Sequence, residues 1–189
     1  MKKIIEDVLN ESIFVKENTL QSQKEIIVSI AKAMIKSLKN GGKIIFCGNG
    51  GSAADSQHLA AEIVGRFQKD RRALAAVALS TDTSIITSLA NDFGFDTVFS
   101  RQVEALAKKG DVLVAISTSG NSANILAAVL AAKKKGVITV AFAGGEGGKL
   151  AKLCDISLIV PSHVTARVQE THITVGHAIC QLIEKEIFS

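Results

Sequence analysis

The chain has no tryptophan, no tyrosine and a single proline among its 189 residues, and its only aromatics are eight phenylalanines. Such a composition argues against a loop-rich all-β domain and favours helices packed on an aliphatic sheet. An excess of one charge is also missing. Twenty-two basic residues stand against 18 acidic ones, a net charge of +4. Lysines gather at 133–135 and residues 69–72 read KDRR, but acids are interspersed elsewhere and no basic groove with interleaved aromatics is present. The charge therefore reads as ordinary solvated surface, and no nucleic-acid partner is expected. No stretch reaches the roughly 18 apolar residues a membrane helix needs. The opening MKKIIEDVLNES is too acidic, and its apolar run too short, for a secretory signal. The three cysteines, Cys47, Cys154 and Cys180, lie far apart beside apolar segments, with no CxxC pair. They read as reduced, buried thiols of a cytoplasmic protein.

Hydrophobic residues make up 47% of the chain, enough for one core, and the length suits a single domain over 1–189. Residues 2–39 carry helical periodicity: Ile5, Leu9 and Ile13 recur at i+4, and Ile27, Ile30, Met34 and Leu38 at i+3/i+4. Asn40-Gly41-Gly42 is a stop signal. The segment is one long helix or two joined near 18–23. Ile4 and Val8 add a second apolar face, which predicts packing both on the core and at an oligomer interface. From residue 43 the pattern alternates. Short aliphatic runs at 43–47, 75–79, 112–116, 137–142 and 156–160 are separated by helical stretches at 52–66, about 83–90, 97–108, 121–135 and 148–153. Uninterrupted aliphatic strands with helices between them predict an α/β fold: a three-layer, doubly wound, five-stranded parallel sheet. A last helix is expected over 165–187.

In an open parallel sheet, ligands bind beyond the carboxyl ends of the strands. Two loops there are rich in phosphate-binding chemistry. In Gly48-Asn49-Gly50-Gly51-Ser52 the glycines let the backbone approach an anion, and Ser52 is placed to cap the following helix. In Ser117-Thr118-Ser119-Gly120-Asn121-Ser122, four hydroxyls and a glycine open the helix at 121–135 and form a small-phosphate cradle. A dinucleotide fingerprint is only partly met by Gly48-x-Gly50-x-x-Ala53. The acidic residue it wants at the end of the second strand comes too late, at Asp82.

On helix 52–66, Asp55, His58, Glu62 and Arg66 form a polar stripe at i+3/i+4 spacing. A His and a Glu four residues apart can share a metal ion or act as a coupled acid and base. The plainer alternative is a surface stripe with Glu62–Arg66 as an ion pair. The last helix carries Arg167, Gln169, Glu170, His172 and His177. Gln169 and His177 are separated by roughly 12 Å of rise and about 80° around an ideal helix. If both serve one site, either the backbone near Gly176 is irregular or the site draws on more than one subunit.

The segments CGNGGSAAD, QHLAAEIVGRF, NDFGFD, FSRQVEAL, ISTSGNSAN, RVQETH and QLIEKE together resemble the sedoheptulose 7-phosphate isomerases (phosphoheptose isomerases) of the sugar isomerase (SIS) fold, essentially from end to end. The resemblance implies an enzyme that converts sedoheptulose 7-phosphate to D-glycero-D-manno-heptose 7-phosphate, the first step toward activated heptose for bacterial surface polysaccharide. It implies a cytoplasmic homotetramer with sites at subunit contacts and one Zn2+ per subunit. By the same resemblance, phosphate contacts fall on Ser117, Thr118, Ser119 and Ser122, and sugar contacts on Asn49, Gly50, Gly51, Asn91 and Asp92. Zinc ligands fall on His58, Glu62, Gln169 and His177, and the acid/base pair on Glu62 and His177. Ala166 departs from the aspartate some members carry three residues before the glutamine. Two other readings compete. Some relatives of the fold are non-enzymatic modules that bind the replication initiator, but their loops differ at the positions of Gly51 and Glu62 and they lack the terminal histidine. Other SIS proteins act on or sense hexose or amino-sugar phosphates, and would not need all four zinc ligands.

Overall fold

The computed structural model describes residues 1–188. Its first helix, α1, spans Lys2–Lys39 without a break, which settles the choice between one helix and two. There follow β1 (Ile44–Gly48), α2 (Gly51–Val64), β2 (Ala76–Ala78), α3 (Thr83–Phe93), a short 3-10 turn (Phe95–Thr97) and α4 (Ser100–Leu106). Next come β3 (Val112–Ser117), α5 (Ala123–Lys134), β4 (Ile138–Gly144), α6 (Gly148–Leu153), β5 (Ile156–Val160) and α7 (Thr165–Ile187). The five strands form one sheet in the order β2-β1-β3-β4-β5, parallel throughout, as the aliphatic runs lead one to expect.

Period-two alternation sorts each strand between two cores. Ile44 and Phe46 of β1, Val112 and Val114 of β3 and Phe142 of β4 face a layer built by α1, α2 and α7. Ile45 and Cys47, Leu113 and Ala115, and Ala141 face α4, α5 and α6. Polar staples lie at the amino ends of the strands. Buried Asp111 accepts the backbone N–H groups of Lys43 and Lys108 and the Lys43 ammonium. Asp155 accepts both the N–H and the hydroxyl of Thr139.

Some boundaries differ from expectation. α2 ends at Val64, so Arg66 lies outside it. The reason is tertiary: the Arg71 guanidinium reaches back to the carbonyls of Glu62, Ile63 and Gly65, satisfying the end of the helix. Helix α3 runs three residues beyond the expected 90, which puts Asn91 and Asp92 in its last turn. Nor does Gly176 loosen α7. It sits in an unbroken helix, and a Cβ there would run into the side chain of Leu59. The glycine is needed for close packing of α7 on α2.

After α2 the chain passes through residues 65–75 without regular structure, and α7 fastens this segment. The carboxylate of Glu184, 2% exposed, accepts the N–H groups of Phe67, Gln68 and Lys69 and the Nε–H of Arg71, at 2.8–2.9 Å. Burial alone would raise the pKa of this group. The three N–H groups and the guanidinium outweigh it and hold the pKa at about 2, against an ordinary 4.5. A depressed carboxylate stabilises the fold above its unfolded pKa, and that contribution is lost as pH falls through the folded one. The Glu184 contribution, about 3 kcal/mol, is therefore present at neutral pH and disappears between about pH 4.5 and 2. Urea melts from pH 7 to 3 are expected to show Glu184→Gln well below the parent chain at pH 7, with the gap narrowing steadily in acid.

Candidate active site

At the carboxyl edge, β1 passes through Asn49 and Gly50 into α2. Gly50, at φ 54°, makes the turn and occupies the position before the helix. Ser52, expected to be the cap, lies inside the first turn and is buried, because the glycine brings the helix start forward by one residue. The amide side chains of Asn49 and Asn124 exchange two hydrogen bonds of 2.9 Å, tying this loop to α5. Nothing in the spacing pointed to Asn124, although it closes the ISTSGNSAN segment.

The second loop connects β3 to α5. The hydroxyls of Ser117 and Ser122 lie 3.1 Å apart, and Ser119 Oγ accepts the N–H of Asn121. Gly120 adopts φ 65° and packs so tightly on the backbone of Gly147 and Gly148 that no side chain fits. Thr118 and Ser119 open onto a cavity of about 370 Å³ whose other walls include Asn121, Glu146, His163 and Thr165. The last three were not anticipated. Glu146 and His163 come from the β4–α6 and β5–α7 connections, which carry no recognisable spacing, and Thr165 opens α7. His172 is fully buried beneath this region. Its Nε2 lies 3.2 Å from the carbonyl of Ala143, and burial lowers its pKa to about 4. The ring is therefore neutral at physiological pH and donates to that carbonyl.

The polar stripe of α2 meets α7. His58 Nε2 lies 3.2 Å from Glu62 Oε1 and 3.2 Å from His177 Nε2. The three ligand atoms fall within 4.8 Å of one another. Glu62 thus pairs with His58; among the described residues it makes no ion pair with Arg66. The rings of His58 and His177 meet edge to face at 4.9 Å, and Phe67 stacks on His177 at 5.4 Å. Asp55, one turn earlier in the stripe, buries one carboxylate oxygen without a hydrogen-bond partner. Burial raises its pKa, opposed by the charge of His58.

Gln169, the fourth expected ligand, rests its side-chain amide against Gly51, two turns of α2 before His58. Asn91 and Asp92 are solvent-exposed on α3, with the Asn91 amide donating to Asp92. No second chain is needed to assemble His58, Glu62 and His177.

The SIS-domain family matches residues 9–144. A phosphoheptose isomerase from Roseiflexus sp. (strain RS-1) is 51% identical over 182 residues, 96% of this chain and 92% of the relative. The solved phosphoheptose isomerases from Neisseria gonorrhoeae and Francisella tularensis superpose with TM-scores of 0.93 and 0.94. Their identities are 48% and 38%; each match covers 97% of this chain and respectively 98% and 97% of the solved one. The chain belongs to the phosphoheptose isomerases of the SIS-domain family.

The donors of such an isomerase can be tested against a metal on their own geometry. Imidazole nitrogens and a carboxylate oxygen suit zinc, which binds them at about 2.0–2.2 Å. Two ligands on a tetrahedral ion at that range lie about 3.4 Å apart, close to the two 3.2 Å separations observed here. The triad fits a zinc ion, with a fourth position left for water or substrate; Gln169, eight residues before His177 on an unbroken helix and resting on Gly51, is not brought to the triad within this chain. Competition with a chromophoric chelator is expected to detect one zinc per chain and to show His58→Ala weakening it at least tenfold. Equal affinity in the variant would remove the triad as the metal site.

Proposed function

We propose that the protein converts sedoheptulose 7-phosphate to D-glycero-D-manno-heptose 7-phosphate, a first step toward activated heptose for bacterial surface polysaccharide. The observation that carries this reading is the convergence of His58, Glu62 and His177, drawn from positions as far as 119 residues apart onto one spot. Aldose–ketose isomerisation moves a proton between adjacent carbons through a cis-enediol. It needs a base at carbon, a group that handles the oxygen proton, and positive charge beside the carbonyl oxygen.

Glu62 supplies the base. Its Oε1 is turned to His58, while Oε2 makes no hydrogen bond among the described residues. One oxygen can therefore serve the metal site while the other takes the α-proton from the substrate. His177 is assigned the proton at oxygen; its Nε2 faces the metal spot, so with a metal bound the proton is handled at its other ring nitrogen, Nδ1. A zinc ion held by His58, Glu62 and His177, with Gln169 brought in from a neighbouring copy, would contribute Lewis-acid polarisation of the carbonyl when bound. The phosphate is assigned to the hydroxyls of Ser117, Thr118, Ser119 and Ser122, and the sugar chain to Asn49, Gly50, Gly51, Asn91 and Asp92.

The family resemblance places such sites at subunit contacts in a homotetramer, and the surface is suited to that. Ile4, Ile5, Leu9, Ile13 and Phe14 of α1 are all more than half exposed. Helix α3 buries no residue within its own chain. Both are apolar faces that a second copy can cover. His58 lies about 10 Å along α2 from the carboxyl edge, so a neighbouring subunit has room to bring substrate contacts up to the triad. Among the described residues no helix is long and apolar enough to cross a membrane; the cytoplasmic assignment rests on the family resemblance.

Purified, zinc-loaded protein incubated with sedoheptulose 7-phosphate is expected to form aldoheptose phosphate, followed by NMR. Glu62→Gln and His177→Gln should each lower kcat by about 10²–10⁴ with melting temperatures close to that of the parent. Activity within tenfold of the parent in both variants would sink the mechanism. An intact, metal-loaded oligomer with no turnover would favour a binding module.

A further inference from the structure

Residues 65–75 form an irregular connection, yet more directed hydrogen bonds converge on it than on any stretch of the catalytic loops described above. Glu184 takes four donors from it, and both ends of the buried Arg71–Glu184 pair are at most 3% exposed. Arg71 in turn donates from Nη2 to the carbonyl of Glu62, at 2.9 Å, and from Nη1 to those of Ile63, Gly65 and Arg72. A carboxylate and a guanidinium withdrawn from water this far are costly unless every lone pair and N–H is used. Here they are used mainly on two places: the end of α2 at Glu62, Ile63 and Gly65, and the turn that begins with Phe67.

Both places bear on the proton-transfer pair. The Phe67 ring stacks on a face of His177 at 5.4 Å with an interplanar angle of 28°, while His58 meets the ring at its Nε2 edge. His177 and Glu184 are seven residues apart on α7, two turns along the same face. One face of α7 therefore carries the imidazole at one point and the anchor of its aromatic wall at the next. The torsion between Cβ and an imidazole ring is broad and nearly two-fold. A ring with both faces open can turn its Nε2 away from Glu62 and His58. With Phe67 in place, one face of His177 is covered and its Nε2 edge stays against His58.

We infer that Phe67 is a positioning residue for His177, and that the Arg71–Glu184 pair is the anchor that holds Phe67 in place while fixing the backbone of Glu62. The inference rests on the assignment of Glu62 and His177 to proton transfer and metal binding. It predicts that removing the planar wall damages alignment without damaging binding of the sugar phosphate or the fold. Misplacement by about 1 Å can cost on the order of 10² in rate, and loss of a group supporting a metal ligand costs on the order of 10–100-fold in affinity.

The test compares Phe67→Leu, which keeps apolar volume but loses the flat ring, with Phe67→Tyr, which keeps it. For Phe67→Leu the expected result is a kcat lower by about 10–100-fold, KM within about threefold, and zinc affinity lower by about tenfold or more in chelator competition. Phe67→Tyr should restore all three to within about twofold of the parent. Thermal melting of both should stay within a few degrees of the parent. Parent-like kcat and zinc affinity in Phe67→Leu would overturn the inference. So would an equal loss in Phe67→Tyr, or a fall in kcat that only tracks lost stability. The zinc measurement keeps this separate from the proposed reaction. If the parent chain binds zinc but turns over no heptose phosphate, affinity in Phe67→Leu still decides whether the ring positions His177.

Discussion

Helix α7 approaches α2 so closely that one position on it has no room for a Cβ. At Gly176 a methyl group would occupy the space taken by Leu59, and the Leu59 side chain is itself fully buried. A glycine inside a helix costs on the order of 1 kcal/mol relative to alanine, and here close packing offsets that cost. The approach puts His177, the next residue, against His58, the residue before Leu59. The same contact brings Gln169 to Gly51, aligns Glu184 with the segment after α2, and lets Phe67 stack on His177. Widen the α2–α7 spacing and each of these pairings is lost together.

The sheet separates stability from chemistry by its two edges. At the amino ends of the strands, Asp111 and Asp155 use their carboxylates on backbone N–H groups and on Lys43 and Thr139, joining neighbouring strands. At the carboxyl ends, the connections are glycine turns and hydroxyl loops that leave polar groups facing a cavity. The division follows from parallel topology, in which every strand ends on the same side. His172 joins the two regimes. It is a core residue, kept neutral by burial, whose ring supports the carbonyl of Ala143 directly under the cavity-lining glycines.

Much of the architecture was legible because its signals are local. Aliphatic runs of five or six residues with helical segments between them require a parallel sheet covered on both faces; the strand order came from the structure. The His58–Glu62 pair was legible because four residues on a helix always face the same way. Other features were not. The end of α2 lies two residues earlier than its polar stripe suggested, because a residue six positions beyond Gly65, Arg71, covers its last carbonyls. Asn124, Glu146, His163 and Phe67 belong to no periodic pattern; each takes its place from where a loop is anchored. The expected irregularity near Gly176 is absent because the glycine serves interhelical distance, which no single-chain spacing encodes.

By itself the sequence determined the number and type of elements, the parallel sheet, the two polar loops at its carboxyl edge, and half of the metal-type cluster. Those follow from backbone propensity, hydrophobic period and helical geometry, all of which act over a few residues. Only the tertiary structure decided that His177 meets the His58–Glu62 pair, and that a buried Arg71–Glu184 pair holds the segment beside them. Those outcomes depend on the distance between two helices more than a hundred residues apart, and that distance is set by what packs between them.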